Sequence, residues 1–147
     1  ADGDWSSDVC SSDLDPPETP KPQLLERIKT NLAGGLPSIF GFTVYSSIGQ
    51  AGGTGRIPYP TSGESRTGGH AVVAIGYDNS LEIENTNGGD TKTTGALLIR
   101  NSWGTDWGDE GYGWLPYEYV LKGLAIDWWS LLKNEWINTE AFRLMGG

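Results

Sequence analysis

The chain has 147 residues and a formal net charge of −9, with 22 glycines, eight prolines and seven tryptophans. Because no basic stretch or basic amphipathic face stands out, nucleic acid and anionic membranes are poor partners, and no apolar run reaches the length of a membrane-spanning helix. The length permits one domain with a core, and the many glycines and prolines favour β-structure with irregular loops over a helical bundle.

The chain begins with a segment whose origin is in question. Asp4–Leu14 reads DWSSDVCSSDL, which is the translation of a common sequencing adapter. We therefore interpret residues 1–14 as an assembly artefact, although they contain Cys10, the only cysteine of the chain. Residues 15–22, DPPETPKP, are rich in proline and predict an extended lead-in to the domain.

A helix and a strand are predicted next. Residues 23–33 carry leucine and isoleucine at helical spacing, which indicates a helix with one apolar side, and Gly34 and Gly35 are expected to end it. Residues 38–46, SIFGFTVYS, are mostly aromatic or β-branched and predict a strand. Residues 49–65 are expected to form a surface loop, whose glycines lack the Gly-Lys-Ser/Thr of a phosphate-binding loop.

The second half of the chain alternates strand patterns with turns. Strands are predicted at residues 69–78, 81–84, 96–100, 112–116 and 125–131. A short turn or helix is expected at residues 117–121, and a tail at residues 138–147. The carboxylates around the turn at residues 87–90 have a spacing that fits no EF-hand loop, so we interpret them as a solvated hairpin face.

Two polar residues stand where strand patterns meet loops. His70, the only histidine, lies at the start of one strand, and Asn101 follows the apolar run at residues 96–99. If the two strands pair, the carboxamide oxygen can accept the imidazole N–H, which fixes the tautomer and leaves the other ring nitrogen free as a base. Taken singly, His70 is more often a hydrogen-bonded structural residue and Asn101 a turn residue, so the hypothesis depends on their contact.

The loop after Asn101 combines glycine with tryptophan. Glycine allows close approach of the backbone and positive φ, and the indoles of Trp103 and Trp107 can fill the space that this creates. Such a loop could hold one polar side chain still. The structural alternative is that both tryptophans are simply part of the core.

Two long motifs resemble those of the papain-like cysteine peptidases, in the same order along the chain. They are GGHAVVAIGYD at residues 68–78 and RNSWGTDWGDEGYGWLPYEYV at residues 100–120. The resemblance extends from about Leu24 to about Trp136. It implies an α+β fold class, with a mainly antiparallel, β-barrel-like domain and one packed helix at residues 23–137, without the N-terminal helical domain of the family.

The resemblance also implies roles for individual residues. His70 and Asn101 would be the catalytic residues of a Cys–His–Asn peptidase. Trp103 and Trp107 would support the active site, and Gly69 and Ala71 would contact substrate. Trp103 would cover the bond between His70 and Asn101. The partners would be a peptide or protein substrate and the N-terminal helical half of the same protein, with neither a cofactor nor a metal.

The resemblance places the nucleophilic cysteine upstream, at a helix N-terminus in a motif similar to Gln-x-x-x-Cys-Gly-Ser/Ala-Cys-Trp, which this sequence does not contain. Cys10 is flanked by aspartates, which disfavour a thiolate, so we reject it as the nucleophile and expect the 147-residue chain to be inactive alone. Two alternatives stay open. The chain could belong to a non-catalytic homologue that acts as a binding or structural module, or it could be a β-domain that binds glycans through exposed indoles.

Overall fold

The structure, a computed structural model, describes residues 9–133. The elements in chain order are β1 Val9–Asp13, α1 Lys21–Ala33, β2 Ser38–Tyr45, a 3-10 helix Ser46–Ala51, β3 Arg66–Ile83, β4 Thr93–Arg100, β5 Tyr112–Pro116, α2 Tyr117–Leu121 and β6 Ala125–Lys133. Within this range, no helix is both long enough and apolar enough to cross a membrane. The predicted tail at residues 138–147 lies outside the described residues.

The strands form one antiparallel sheet in the order β1-β6-β2-β3-β4-β5. This confirms the predicted α+β class. In the part of the chain that the structure describes, β1 and β5 are the two edges of the sheet, so the sheet stays open and does not close into a barrel.

Helix α1 covers one face of the sheet with the four apolar side chains that its spacing predicts. They are Leu24, Leu25, Ile28 and Leu32, all buried. The helix begins at Lys21, so the extended lead-in is two residues shorter than predicted, because Pro22 is tolerated in the first helical turn, where its missing N–H has no intrahelical partner. The helix ends at Ala33, and Gly35 beyond it has a φ of 86°.

The core lies between α1 and the inner face of the sheet. Alternate residues of β2 and β3 point into it. The closest pair of aromatic rings among the described residues is Phe40 stacked on Trp128, with ring centroids 3.9 Å apart. Trp128 is fully buried in β6, which confirms the strand predicted at residues 125–131. Aromatic side chains bury large areas, so a few of them contribute much of the apolar surface of this core.

Strand β3 differs from its prediction. The patterns at residues 69–78 and 81–84 indicated two strands, but the structure has one strand of 18 residues. The polar pair Asn79–Ser80 lies inside it, at the second of two shifts of register against β4, between Asp78 and Glu82. Pairing with β4 resumes at Glu82, so the strand continues past its turn-forming residues, and this is why local composition misplaced the boundary.

Strand β1 overlaps the adapter-like segment. It pairs with β6 from Val9, opposite Lys133, to Asp13, opposite Trp129. The next residue, Leu14, is buried, and its amide donates a hydrogen bond to the Trp128 carbonyl. The interpretation of residues 1–14 as an artefact stays a prediction, since a sheet edge can pair through its backbone with many sequences.

Candidate active site

The pairing of three strands brings the histidine and the asparagine to the same place. In β3, His70 lies directly opposite Phe42 of β2, and Val73 lies opposite Arg100 of β4. Asn101 is the first residue after β4, so the antiparallel return of the chain carries it back towards His70. The distance from His70 Nε2 to Asn101 Oδ1 is 2.7 Å, and the predicted contact is therefore present.

The orientation of the Asn101 carboxamide follows from a second hydrogen bond. The backbone amide of Ser102 donates to Asn101 Oδ1 over 2.7 Å, and an amide N–H can only donate, so the atom that faces it is the oxygen. The same oxygen faces His70 Nε2, which must therefore carry the proton. In the neutral ring Nδ1 is then unprotonated and can act as a base.

Burial holds this carboxamide in place. Asn101 is only 8% exposed, and its backbone N–H donates to the Gly111 carbonyl across the loop. Its side-chain Nδ2 is buried and has no hydrogen-bond partner within the described part of the chain. An unpaired buried donor costs about 1–3 kcal/mol, so the fold keeps the oxygen towards the imidazole at a local cost in stability.

Two indoles cover the pair from the solvent side. Trp103 stacks on the imidazole, with ring centroids 4.7 Å apart and planes 22° from parallel, and it remains 44% exposed. Trp107 meets Trp103 edge to face, with centroids 5.5 Å apart, and packs against the core. Trp103 is thus the outer cover of the site, and Trp107 fixes that cover to the domain.

The glycines of this loop permit contacts that a side chain would block. A Cβ at Gly113 would lie 2.7 Å from the Trp107 ring, so the indole packs directly on the backbone of β5. The Gly108 amide donates to the Gly52 carbonyl, and the Trp114 amide donates to the Gly55 carbonyl. Residues 49–65 were expected to be a surface loop, but Gly55 is buried against the tryptophan loop, a role that composition alone did not indicate.

The two predicted substrate-contacting residues lie on the surface beside His70. Gly69 is opposite Thr43 and Ala71 is opposite Gly41, and both Gly69 and Ala71 are exposed. Because side chains alternate along a strand, Ala71 lies on the sheet face opposite to the imidazole. Their roles towards substrate stay predictions.

Phe42 contacts the imidazole, although nothing in the sequence pattern singled it out. The Phe42 ring is 6.0 Å from the imidazole centroid with planes 70° apart, and Phe42 is 3% exposed. Pairing between the strands predicted at residues 38–46 and 69–78 could have pointed to Phe42, but only with the register of the two strands known.

Cys10 does not share this site. Its backbone lies opposite Leu132 in β6, whereas His70 is level with Phe42 and, through it, with Ala125 of β6. Leu132 and Ala125 are seven positions apart, which is on the order of 20 Å along a strand. Three strand spacings further separate β1 from β3 across the sheet.

A separate polar cluster anchors the segment between β2 and β3. The Glu64 carboxylate accepts hydrogen bonds from the Ser47 and Thr61 amides and from Asn85 Nδ2. Burial alone would raise the pKa of Glu64, but the hydrogen bonds from Ser47, Thr61 and Asn85 outweigh it and lower the pKa to about 2. An open cavity of about 540 Å³ adjoins this cluster, and its lining includes neither His70 nor Asn101.

A histidine that an asparagine orients on an antiparallel sheet, with no charged third residue, is the arrangement of cysteine proteases that use Cys, His and Asn. The chain belongs to the papain family of cysteine proteases, since the sequence model of that family matches residues 20–123. The match to the family and the observed antiparallel sheet both agree with the resemblance that the two motifs indicated.

Individual relatives support the same family. The chain is 38% identical over 110 residues to a peptidase C1-like protein of Acanthamoeba polyphaga mimivirus, covering 73% of this chain and 31% of that protein. It is 44% identical over 43 residues to a cathepsin L-like peptidase of Aedes aegypti, covering 29% of this chain and 10% of the relative.

A solved structure is also similar. Xylellain, a cysteine protease from Xylella fastidiosa, matches with a TM-score of 0.60 and 39% identity, over 74% of this chain and 37% of xylellain. The chain thus spans about a third of the length of the viral relative and of xylellain.

Proposed function

We propose that this chain is the histidine- and asparagine-bearing part of a cysteine peptidase that hydrolyses peptide bonds. The nucleophilic cysteine would come from an N-terminal helical half of the complete protein. The observation that carries the proposal is the 2.7 Å contact between His70 Nε2 and Asn101 Oδ1, which supports Nδ1 as the base. Membership of the papain family supports the reaction class.

The reaction would use His70 as the proton carrier. Nδ1 removes the proton of the cysteine thiol, and the resulting thiolate attacks the carbonyl carbon of the substrate. The imidazolium then protonates the amine as the C–N bond breaks, which leaves an acyl-thioester. Nδ1 next takes a proton from water, the hydroxide adds to the thioester, and the imidazolium returns a proton to sulfur as the acid leaves.

The other residues would keep the base in position. Asn101 Oδ1 accepts the hydrogen bond from the Nε2–H and so keeps this proton on Nε2 throughout the cycle, without adding a negative charge. Trp103 keeps water from competing for this hydrogen bond, which is worth more in a drier site. Gly69 and Ala71 flank His70 in β3, and their small size would leave room for the substrate backbone along this part of the strand.

The outer face of the sheet supports the proposed second half. Four large apolar side chains are between 37% and 46% exposed: Ile39, Ile75, Ile126 and Trp129. The register places them on one face, because Ile39 lies opposite both Val73 and Trp129, and Gly41 lies opposite Ile126. A contiguous exposed apolar face marks an interaction site.

We assign this outer face to the helical half that carries the cysteine. Ala71 lies on this outer face and the imidazole of His70 lies on the other face, so the cysteine of such a half would reach Nδ1 around the edge of β3 that β4 leaves open beyond Val73. The chain's share of about a third of xylellain leaves ample length for such a half. The cleft between the two halves would then hold the substrate.

The proposal is tested in the complete protein, whose upstream coding sequence should supply a cysteine after a Gln-x-x-x motif. His70→Ala is expected to abolish cleavage of a fluorogenic peptide, because it removes the proposed base. Asn87→Ala, on an exposed turn, is the control and should retain activity. Serine or glycine at the upstream position would support the non-catalytic alternative instead.

The isolated chain provides a second test. The purified 147-residue protein is expected to cleave nothing, because Cys10 is far from His70 along the sheet. Turnover that thiol alkylation abolishes would contradict this expectation and reinstate Cys10 as a nucleophile. Glycan binding that survives Trp103→Ala would favour the glycan-binding alternative.

A further inference from the structure

We propose that Phe42 is a positioning residue for the imidazole of His70. The inference rests on the proposed function, in which Nδ1 of His70 is the base. Phe42 would act through His70 alone, by filling the space on the core side of the ring. Trp103 and Asn101 then define the only position that the ring can occupy.

The register gives Phe42 this place. Phe42 and His70 are directly opposite each other in the β2–β3 pair, so their side chains leave the sheet on the same face. The ring centroids are 6.0 Å apart with planes at 70°. Phe42 is buried, whereas Trp103, the other ring that contacts the imidazole, is 44% exposed. The imidazole is therefore held between a core wall and a solvent-side cover.

Phe42 is itself held firmly. The ring of Tyr119 meets it nearly perpendicularly, with centroids 6.0 Å apart and planes at 83°. Tyr119 is 1% exposed, and its hydroxyl donates to the Pro58 carbonyl over 3.0 Å. Because this second ring is anchored to the backbone, Phe42 cannot retreat from the imidazole without breaking a buried hydrogen bond.

Removal of the Phe42 ring should free the imidazole. A smaller side chain leaves a space into which the imidazole can tilt or water can enter. Either change lengthens the bond from Nε2 to Asn101 Oδ1, and the proton is then no longer confined to Nε2. The consequence is a mixture of two neutral tautomers, only one of which has Nδ1 free as a base.

The chain is well suited to a direct test, since His70 is its only histidine. The ¹⁵N chemical shifts of a single imidazole report the tautomer, and hydrogen exchange reports the protection of the Nε2 proton. Wild-type protein is expected to show the Nε2–H tautomer alone. Phe42→Leu should show both tautomers, with exchange of the Nε2 proton about tenfold faster.

Phe40→Leu is the matched control. Phe40 lies in the same strand and is also buried. Its ring stacks on Trp128 and meets the Phe42 ring with centroids 6.3 Å apart, but it has no ring contact to His70 among the described residues. It should lose comparable stability and keep the wild-type tautomer. Phe42→Met has a longer and more flexible side chain of similar volume to leucine, which can adapt to the space left by the ring, so it serves if Phe42→Leu does not fold, and it is expected to give the same tautomer mixture.

The outcomes separate this inference from the proposed function. A wild-type tautomer in Phe42→Leu or Phe42→Met overturns the role of Phe42 and leaves the assignment of the base intact. The same holds if Phe40→Leu changes the tautomer equally, because the effect would then be general loosening. A mixture of tautomers in the wild-type protein contradicts the proposed function itself.

Discussion

The side chains of Asn101 and His70 meet at 2.7 Å although 31 residues separate them in the sequence. The contact depends on the β3–β4 register, in which Val73 lies opposite Arg100. A slip of one residue would turn every side chain of one strand to the other face and separate the pair. The fold thus supplies the precision that neither residue has locally.

Asn101→Ala in the complete enzyme is expected to lower kcat by about 10- to 100-fold. The imidazole loses its fixed orientation but can still take the proton of the thiol. KM should change little, since Asn101 is buried and does not reach substrate. Steady-state kinetics beside Asn87→Ala check the effect. An unchanged kcat would rule out an orienting role for Asn101.

Trp103 and Trp107 should differ in what their loss does. Trp107→Ala is expected to destabilise the domain by about 2–4 kcal/mol, because its ring packs against the core. Trp103→Ala should lower the free energy of unfolding by about 1 kcal/mol or less, because the side chain is 44% exposed. It should nevertheless reduce the activity of the complete enzyme, because it exposes the hydrogen bond between His70 and Asn101 to water. Urea denaturation and kinetics measured on the same variants separate the two roles; equal losses of stability would contradict them.

Gly113→Ala should displace the Trp107 indole. The new Cβ would lie 2.7 Å from the ring and 2.9 Å from the Gly55 carbonyl, so the loop must shift, at a cost of about 1–3 kcal/mol. Gly53→Ala is the control, because no atom lies within 4 Å of a Cβ there, and it should change stability by about 0.5 kcal/mol at most. Thermal unfolding and tryptophan fluorescence report both changes. Similar behaviour of the two variants would show that the packing is loose.

Acid should weaken the domain through Glu64. Its pKa falls from 4.5 to about 2 on folding, so the stabilisation is complete above about pH 4.5 and is lost as the pH falls towards 2. Glu64→Gln should remove this part of the pH dependence and destabilise the protein at neutral pH. Denaturation midpoints at about pH 6 and about pH 3 measure the difference. Glu84→Gln, at an exposed carboxylate, should keep the wild-type pH dependence, and a flat wild-type profile would contradict the role of Glu64.

Strong local patterns predicted most elements. The bounds of β5 and α2 agree with residues 112–116 and 117–121, and α1 ends at Ala33 as its glycines indicated. The errors lie where local preference and tertiary pairing disagree. Asn79 and Ser80 favour a turn but lie inside β3, at a register shift after which pairing with β4 resumes, and the start of α1 moved because proline is tolerated in the first turn.

The sequence by itself determined the family motifs, the antiparallel class and the candidate residues His70 and Asn101, because these depend on residue identity and short-range spacing. Only the tertiary structure decided which atoms meet. The tautomer follows from the amide of Ser102, and the imidazole meets the ring of Phe42, a residue 28 positions earlier in the chain. Contacts of this kind arise from strand register, which is set by the burial of a whole face and cannot be inferred from any one segment.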